Sequence, residues 1–134
     1  MNHSNGYSLL KNTFLINGFL SGATGVICLV LADYLSTLYG NLPSLYPELM
    51  GGGLVGFGGF VFFMGKKEKP NLTISHIIFY LDVAWVLGTI GLLSAFFENI
   101  HIFGFAFATA VGLAVLGFAI FEFKGIRNIK TPAN

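Results

Sequence analysis

Charge is what this sequence has least of. Lys, Arg, Asp and Glu together make up 10% of its 134 residues, against about 25% in an ordinary soluble domain. A surface that poor in charge does not stay dispersed in water, so a soluble globule is excluded. Cysteine is nearly absent as well, with Cys28 alone. One thiol makes no internal disulfide and cannot build a zinc site, which takes several ligands. Inside an apolar run, Cys28 reads as a small buried hydrophobe. No nucleotide-binding glycine loop, metal-ligand spacing or nucleophile–base set is present. No basic groove with interleaved aromatics suggests nucleic acid. The expectation is therefore a protein that is not an enzyme and carries no cofactor and no metal.

Apolar residues are what the chain has in abundance. They make up 54% of it, fifteen Phe included, and mean hydropathy is +0.76. They fall into four stretches, at 13–35, 45–65, 73–97 and 102–123. Residues 1–12 are polar and are expected to fray. Tyr39, Gly40, Asn41 and Pro43 read as a turn. Pro47 suits a first helical turn, where its missing N–H costs nothing. The run Lys66–Asn71 is a hydrophilic break, Thr73 is a plausible N-cap, and Glu98, Asn99 and His101 form a short second break. Lipid offers no water to unpaired backbone groups, so each stretch should be helical. The alternating ten-residue segments of a barrel are missing. The expected fold is all-α: one integral membrane domain over residues 1–134, a four-transmembrane-helix antiparallel bundle with short loops. Four spans of about 20 residues use roughly 80 residues, which leaves no room for a water-soluble domain.

The seven basic residues are sorted. Lys11 precedes the first stretch, Lys66, Lys67 and Lys69 separate the second and third, and Lys124, Arg127 and Lys130 follow the fourth. The two remaining loops carry Asp33, Glu48, Glu98 and His101, without Lys or Arg. The positive-inside rule then places both termini in the cytoplasm. Asn71-Leu72-Thr73 has the form of a glycosylation acceptor, but that topology puts it where the modification does not occur. A cleaved leader ending at Val30-Leu31-Ala32 is the rival reading of the first stretch. Its apolar region is longer than the usual 7 to 15 residues or so.

An internal duplication is a further expectation. A shift of 65 residues lays Phe14 on Phe79, Asn17 on Asp82 and Thr24 on Thr89. A shift of 59 lays Gly53-Leu54 on Gly112-Leu113, Gly58 on Gly117 and Phe62 on Phe121. Both pairs run in the same sense, as in a parallel 2+2 repeat about the membrane normal. Chance resemblance between apolar helices is the alternative.

Asp82 is the most informative residue. It stands about eight residues into the third stretch, roughly 8 to 12 Å along a helix, inside the hydrocarbon. A carboxylate there costs roughly 2.5–3.5 kcal/mol on insertion scales, so it should face the bundle interior. It could hold a proton or cation, anchor a polar group of a ligand, or bond to Asn17 at similar depth on the first helix. Trp85 and Thr89 follow at one-turn intervals and make a semi-polar stripe with it. Glu48 begins the second stretch, where a negative charge complements the helix dipole. Glu98 and His101 are solvated or form a pH-sensitive pair. His76 and His101 lie at opposite ends of the third helix, which argues against haem. Gly52 and Gly56, Gly18 and Gly22, and Ala108 and Gly112 are small-xxx-small pairs that let helices approach closely in lipid. They would pack the bundle internally or form a homodimer or partner interface. A stripe of Phe could line a pocket for a lipophilic ligand such as a quinone or a sterol-like molecule, though lipid exposure accounts for these residues as well.

The segment Leu81-Asp82-Val83-Ala84-Trp85-Val86-Leu87-Gly88-Thr89 resembles a pattern in small bacterial four-helix membrane proteins of uncharacterised role. In those an Asn or Asp is followed by Trp-Val and a small residue in the third span. The resemblance covers one helix and the general layout, implies a bacterial inner membrane, and imports no activity. The small multidrug transporters have a Glu in the first helix, where this chain has the neutral Asn17, and the quinone-linked disulfide enzymes need a Cys-x-x-Cys. The functional expectation is a small-ligand or proton-linked binding or transport element centred on Asp82, Asn17, Trp85 and Thr89. The alternative is a non-catalytic accessory protein that packs on a membrane partner through its glycine faces.

Overall fold

A computed structural model describes residues 3–130. Its elements run α1 (His3–Val30), α2 (Ala32–Leu38), α3 (Leu45–Gly65), α4 (Leu72–Ala95), a 3-10 turn at Phe97–Asn99, and α5 (Ile102–Lys130). Among the described residues no strand occurs. Four helices are long and apolar enough to cross a membrane: Asn5–Val30, Leu45–Gly65, Leu72–Ala95 and Ile102–Lys130. The protein is an all-α bundle of four membrane-length helices.

Two stretches differ from their sequence boundaries. The expected frayed start is helical from His3 within the described residues. Gly6 and Leu10 of α1 lie against Gly125 and Ile129 of α5, and burial outweighs the local polarity of Asn5 and Ser8. The fourth stretch runs on to Lys130, because Gly125, Ile126 and Ile129 keep a buried stripe going past Phe123. The first stretch is divided at Leu31, although the Leu31 N–H still reaches the Ile27 carbonyl at 2.9 Å. Between α2 and α3 the expected turn is present. Gly40 and Asn41 both have positive φ, 78° and 60°, a region open to Gly and tolerated by Asn.

The N-cap of α4 is Asn71, not Thr73. The Asn71 side chain accepts the Ile74 N–H at 3.2 Å, and Thr73 is an exposed residue inside the first turn. Asn71→Ala should lower stability by about 1 kcal/mol, while Thr73→Ala should leave it nearly unchanged. Thermal unfolding in detergent compares the two.

Helix order within the bundle decides where the site lies. α1 packs along α3 on one side and α5 on the other, and α5 packs along α4. α3 and α4 are not packed closely together. Around Leu10, Phe14, Val61, Met64 and Ile78 all four helices share one apolar cluster. This is the end that carries Lys11, Lys66, Lys67, Lys69 and Lys124, hereafter the basic end. At the opposite end α2 closes onto α5. The His101 N–H donates to the Leu38 carbonyl at 2.8 Å, and the Tyr39 hydroxyl donates to the Gly104 carbonyl at 2.7 Å. A twofold repeat would match the α1–α5 contact with an α4–α3 contact, and the two are unequal.

The close approach of α1 and α3 is built on glycine. A Cβ on Gly18 would stand 2.4 Å from the Phe62 nitrogen, and one on Gly58 would stand 2.5 Å from the Gly22 nitrogen. Gly25 and Gly51 meet in the same way nearer the other end. Of the pairs expected from sequence, Gly18 is at this contact, and Gly22 contributes its backbone to it. Gly112 packs against the Thr89 methyl, 3.2 Å from where its Cβ would be. Gly52 and Gly56 do not pack inside the bundle. They face outward with open space around them, because α3 turns Gly51 and Gly58 toward α1.

Candidate functional site

Three helices each bring one polar side chain to the same level of the interior. On α1 the buried positions Leu10, Phe14, Asn17 and Ser21 recur every three to four residues, the period of one helix face. On α4 the corresponding stripe is Ser75, Ile78 and Asp82. On α5 it is Val115, Ala119, Glu122 and Ile126. Asn17 and Glu122 have no exposed surface, and Asp82 has 2%. Asp82 is ten residues beyond Leu72, about 15 Å along α4.

Asn17 joins the three helices. Its amide nitrogen donates to Asp82 Oδ2 at 2.7 Å and to Glu122 Oε1 at 3.0 Å. Its amide oxygen accepts from Ser21 Oγ at 2.9 Å. The amide thereby uses both of its N–H groups and its carbonyl. The interhelical bond between Asn17 and Asp82 is one of the sequence expectations. The second carboxyl is not. Glu122 Oε2 is buried and no protein N–H or hydroxyl reaches it, while the Glu122 and Asp82 carboxyls lie within hydrogen-bonding reach of each other. Two carboxyl groups on one amide nitrogen repel strongly if both are ionised away from water. A proton or a cation placed between them removes that repulsion. Two carboxyls and an amide give too few oxygens for Ca²⁺, which takes six to eight or so. Among the described residues no group of three His, Cys, Asp or Glu side chains gathers elsewhere.

Beyond the pair, away from the basic end, the interior opens into a cavity with two adjoining parts. The inner part, about 510 Å³, is bordered by Asp82 and Ser21. The outer part, about 670 Å³, extends toward Tyr39 and Tyr46. Thr24, Leu54 and Trp85 border both. No family model, curated protein or solved structure matches the chain. The site must therefore be read from its own chemistry.

The other residues singled out by sequence are dispersed. Trp85 borders the inner part of the cavity with Asp82, and its indole N–H is buried and unpartnered. Thr89 borders the outer part of the cavity, but its hydroxyl donates to the Trp85 carbonyl at 2.9 Å. That bond uses its one O–H donor and leaves the hydroxyl oxygen able to accept. Glu48 is exposed in the first turn of α3 and is not brought to the pair. Ala108 borders the outer part. Cys28 is 2% exposed within a second apolar cluster, with Leu35, Leu38 and Leu54. His101 Nδ1 accepts the Phe103 N–H at 3.2 Å, while His76 at the basic end meets Lys130 Nζ through Nε2 at 3.2 Å.

Glu122 is the member of the buried cluster that sequence reasoning missed. The signal was the period of α5, not its hydropathy. Glu122 falls in line with Gly112, Val115, Ala119, Ile126 and Ile129 on one buried face. It lies inside the expected fourth stretch, 102–123, where it was not singled out.

Proposed function

We propose that the protein is a proton-linked binding or transport element of the membrane, and that Asp82 and Glu122, bridged by Asn17, take up and release the proton. One observation carries this reading. Two fully buried carboxyls from different helices share a neutral amide and hydrogen-bond to each other, which requires a proton between them. A polar bridge that only ties helices together needs one acceptor. A second acid adds about 2.5–3.5 kcal/mol of insertion cost, and it adds a donor only when the pair holds a proton. Intramembrane acids held this way are typical of proton relays and ion paths.

The sorting of Lys and Arg supports placing the basic end, with both termini, in the cytoplasm. A bacterial inner membrane fits that sorting and the third-helix pattern. The pair then lies on the cytoplasmic side of the cavity. The cavity leads from Asp82 toward the outer face, and the apolar cluster around Phe14, Val61 and Ile78 closes the inner face.

Infrared difference spectra across a pH step test the reading. The wild-type protein in lipid should gain a carboxylic-acid C=O band from a group shielded from water as pH falls. The band should weaken in Asp82→Asn and in Glu122→Gln, and disappear in the double variant. Asp33, Glu48, Glu68 and Glu98 remain in every variant and provide the constant background. Identical spectra for wild type and the double variant would mean that the pair does not titrate.

A further inference from the structure

We infer that the cavity takes a lipophilic organic cation from the bilayer and holds its charge against Asp82, in exchange for the proton of the pair. This rests on the proton-linked reading above and assigns its ligand class.

The way in is lateral. The cavity lies where α3 and α4 are not packed closely together. Met50 on α3 and Leu81 on α4, both on its border, are 44% and 50% exposed. In a membrane those side chains face hydrocarbon, so a molecule dissolved in the acyl layer reaches the cavity without crossing water. The inner part, about 510 Å³, is within the roughly 300–1,000 Å³ of small-molecule sites.

The lining selects the charge. No Lys, Arg or His borders either part, so an anion would find no counter-charge. A neutral lipid would meet Asp82 only through a hydrogen bond, with no charge to match it. A cation meets an acid at the inner limit and the faces of Trp85, Phe57, Phe107 and Phe118 around it. Aromatic faces attract cations most strongly where water is excluded. Asp82 borders the cavity, while Glu122 stands behind it with no exposed surface, its carboxyl against that of Asp82. The ligand thus meets Asp82, and Glu122 completes the negative site.

The exchange balances. The pair with one proton, plus the cation, gives the pair with the cation, plus one proton released to water. No covalent bond other than O–H changes, and the charge of the site is the same before and after. The groups facing Asp82 are Glu122 of α5 and the neutral Asn17 and Ser21 of α1. The part of α3 that borders the inner cavity, Met50, Gly53, Leu54 and Phe57, brings no titratable group.

Tetraphenylphosphonium is a suitable probe, with neutral triphenylphosphine oxide as its control, on the full chain in nanodiscs. Trp85 is the sole tryptophan, so its fluorescence reports the cavity directly. The expected result is a saturable change with the phosphonium, absent from empty nanodiscs and from the oxide. Apparent affinity should fall by about tenfold per pH unit on acidification wherever the pair is protonated, as one-for-one exchange requires. Asp82→Asn should abolish saturable binding. Gly53→Phe guards against a mere folding failure. Gly53 borders the inner part with open space about it, so this variant should block the probe and leave the infrared band intact. Equal binding of the oxide, or phosphonium binding that ignores pH and both substitutions, would show a cavity filled by neutral lipid and overturn the inference. An infrared band without saturable phosphonium binding overturns it and leaves the proton reading standing. Loss of the band as well removes both.

Discussion

Gly58→Ala should destabilise the bundle by on the order of 3 kcal/mol, while Gly56→Ala, two residues away, should be neutral or stabilising. The new methyl at position 58 would stand 2.5 Å from the Gly22 nitrogen and 2.6 Å from the Gly18 carbonyl oxygen. Both are backbone atoms of a helix that also holds α5, so relief means moving α1 off α3 along much of their shared length. Overpacking costs about 1–3 kcal/mol where side chains can give way, and here no side chain is available to do so. In lipid the cost is not offset by burying more apolar surface, because the tails are as apolar as the interior. At Gly56 the same methyl meets nothing within 4 Å, and alanine is the better helix former by about 1 kcal/mol. Gly52→Ala should behave like Gly56→Ala. Unfolding in mixed micelles separates the cases. Similar losses at positions 52, 56 and 58 would mean that the outward glycines are also in contact.

That contrast marks a boundary of what sequence conveys. Composition and small-xxx-small spacing show that α3 approaches something closely. They do not say which of its glycine faces turns inward, because glycine is frequent all round this helix. The answer depends on α1, where Gly18 and Gly25 fall in register with Gly58 and Gly51. The four spans themselves were legible, since bilayer thickness fixes helix length and lipid enforces internal backbone bonding. The turn at Gly40-Asn41 was legible from residue type. So was the bond between Asn17 and Asp82, because each is a polar residue at matched depth in an apolar run.

Glu122 was obscured by its neighbourhood. It stands two residues before Lys124, at the end of the fourth stretch, where hydropathy alone does not separate a buried acid from a solvated one. The helix does not end, because Gly125 permits a close approach to Gly6 and Leu10. The α3–α4 cleft had no signature either. Periodicity identifies a buried face, but not which neighbour covers it. Trp85 was recognised as inward, yet its unpartnered indole N–H belongs to a cavity that forms only because α1 and α5, not α3 and α4, are the central pair.

Asn17→Ala should be the most damaging single change within the site, more so than removal of either acid. The substitution removes the donor of two hydrogen bonds, at 2.7 and 3.0 Å, and the acceptor for Ser21. It leaves two buried carboxyls facing each other with only the proton they share between them. Leaving a buried polar group without its partner costs about 1–3 kcal/mol, and more for a charged one, so a loss of about 3 kcal/mol or more is expected. Glu122→Gln acts in the opposite direction. It keeps shape, removes one potential charge and supplies an amide N–H of its own, so it should preserve or raise stability while leaving Asp82 as the one titrating acid of the site. The two should not add. In Asn17→Ala/Glu122→Gln the new amide takes over part of the lost donation, and the double variant should recover roughly 0.5–3 kcal/mol of the single-variant loss, the usual range for residues in one network. Thermal or denaturant unfolding of the four proteins at one pH closes the cycle. Strict additivity would mean that Asn17 and Glu122 are neighbours without being partners, and the three-helix bridge would then reduce to the bond between Asn17 and Asp82.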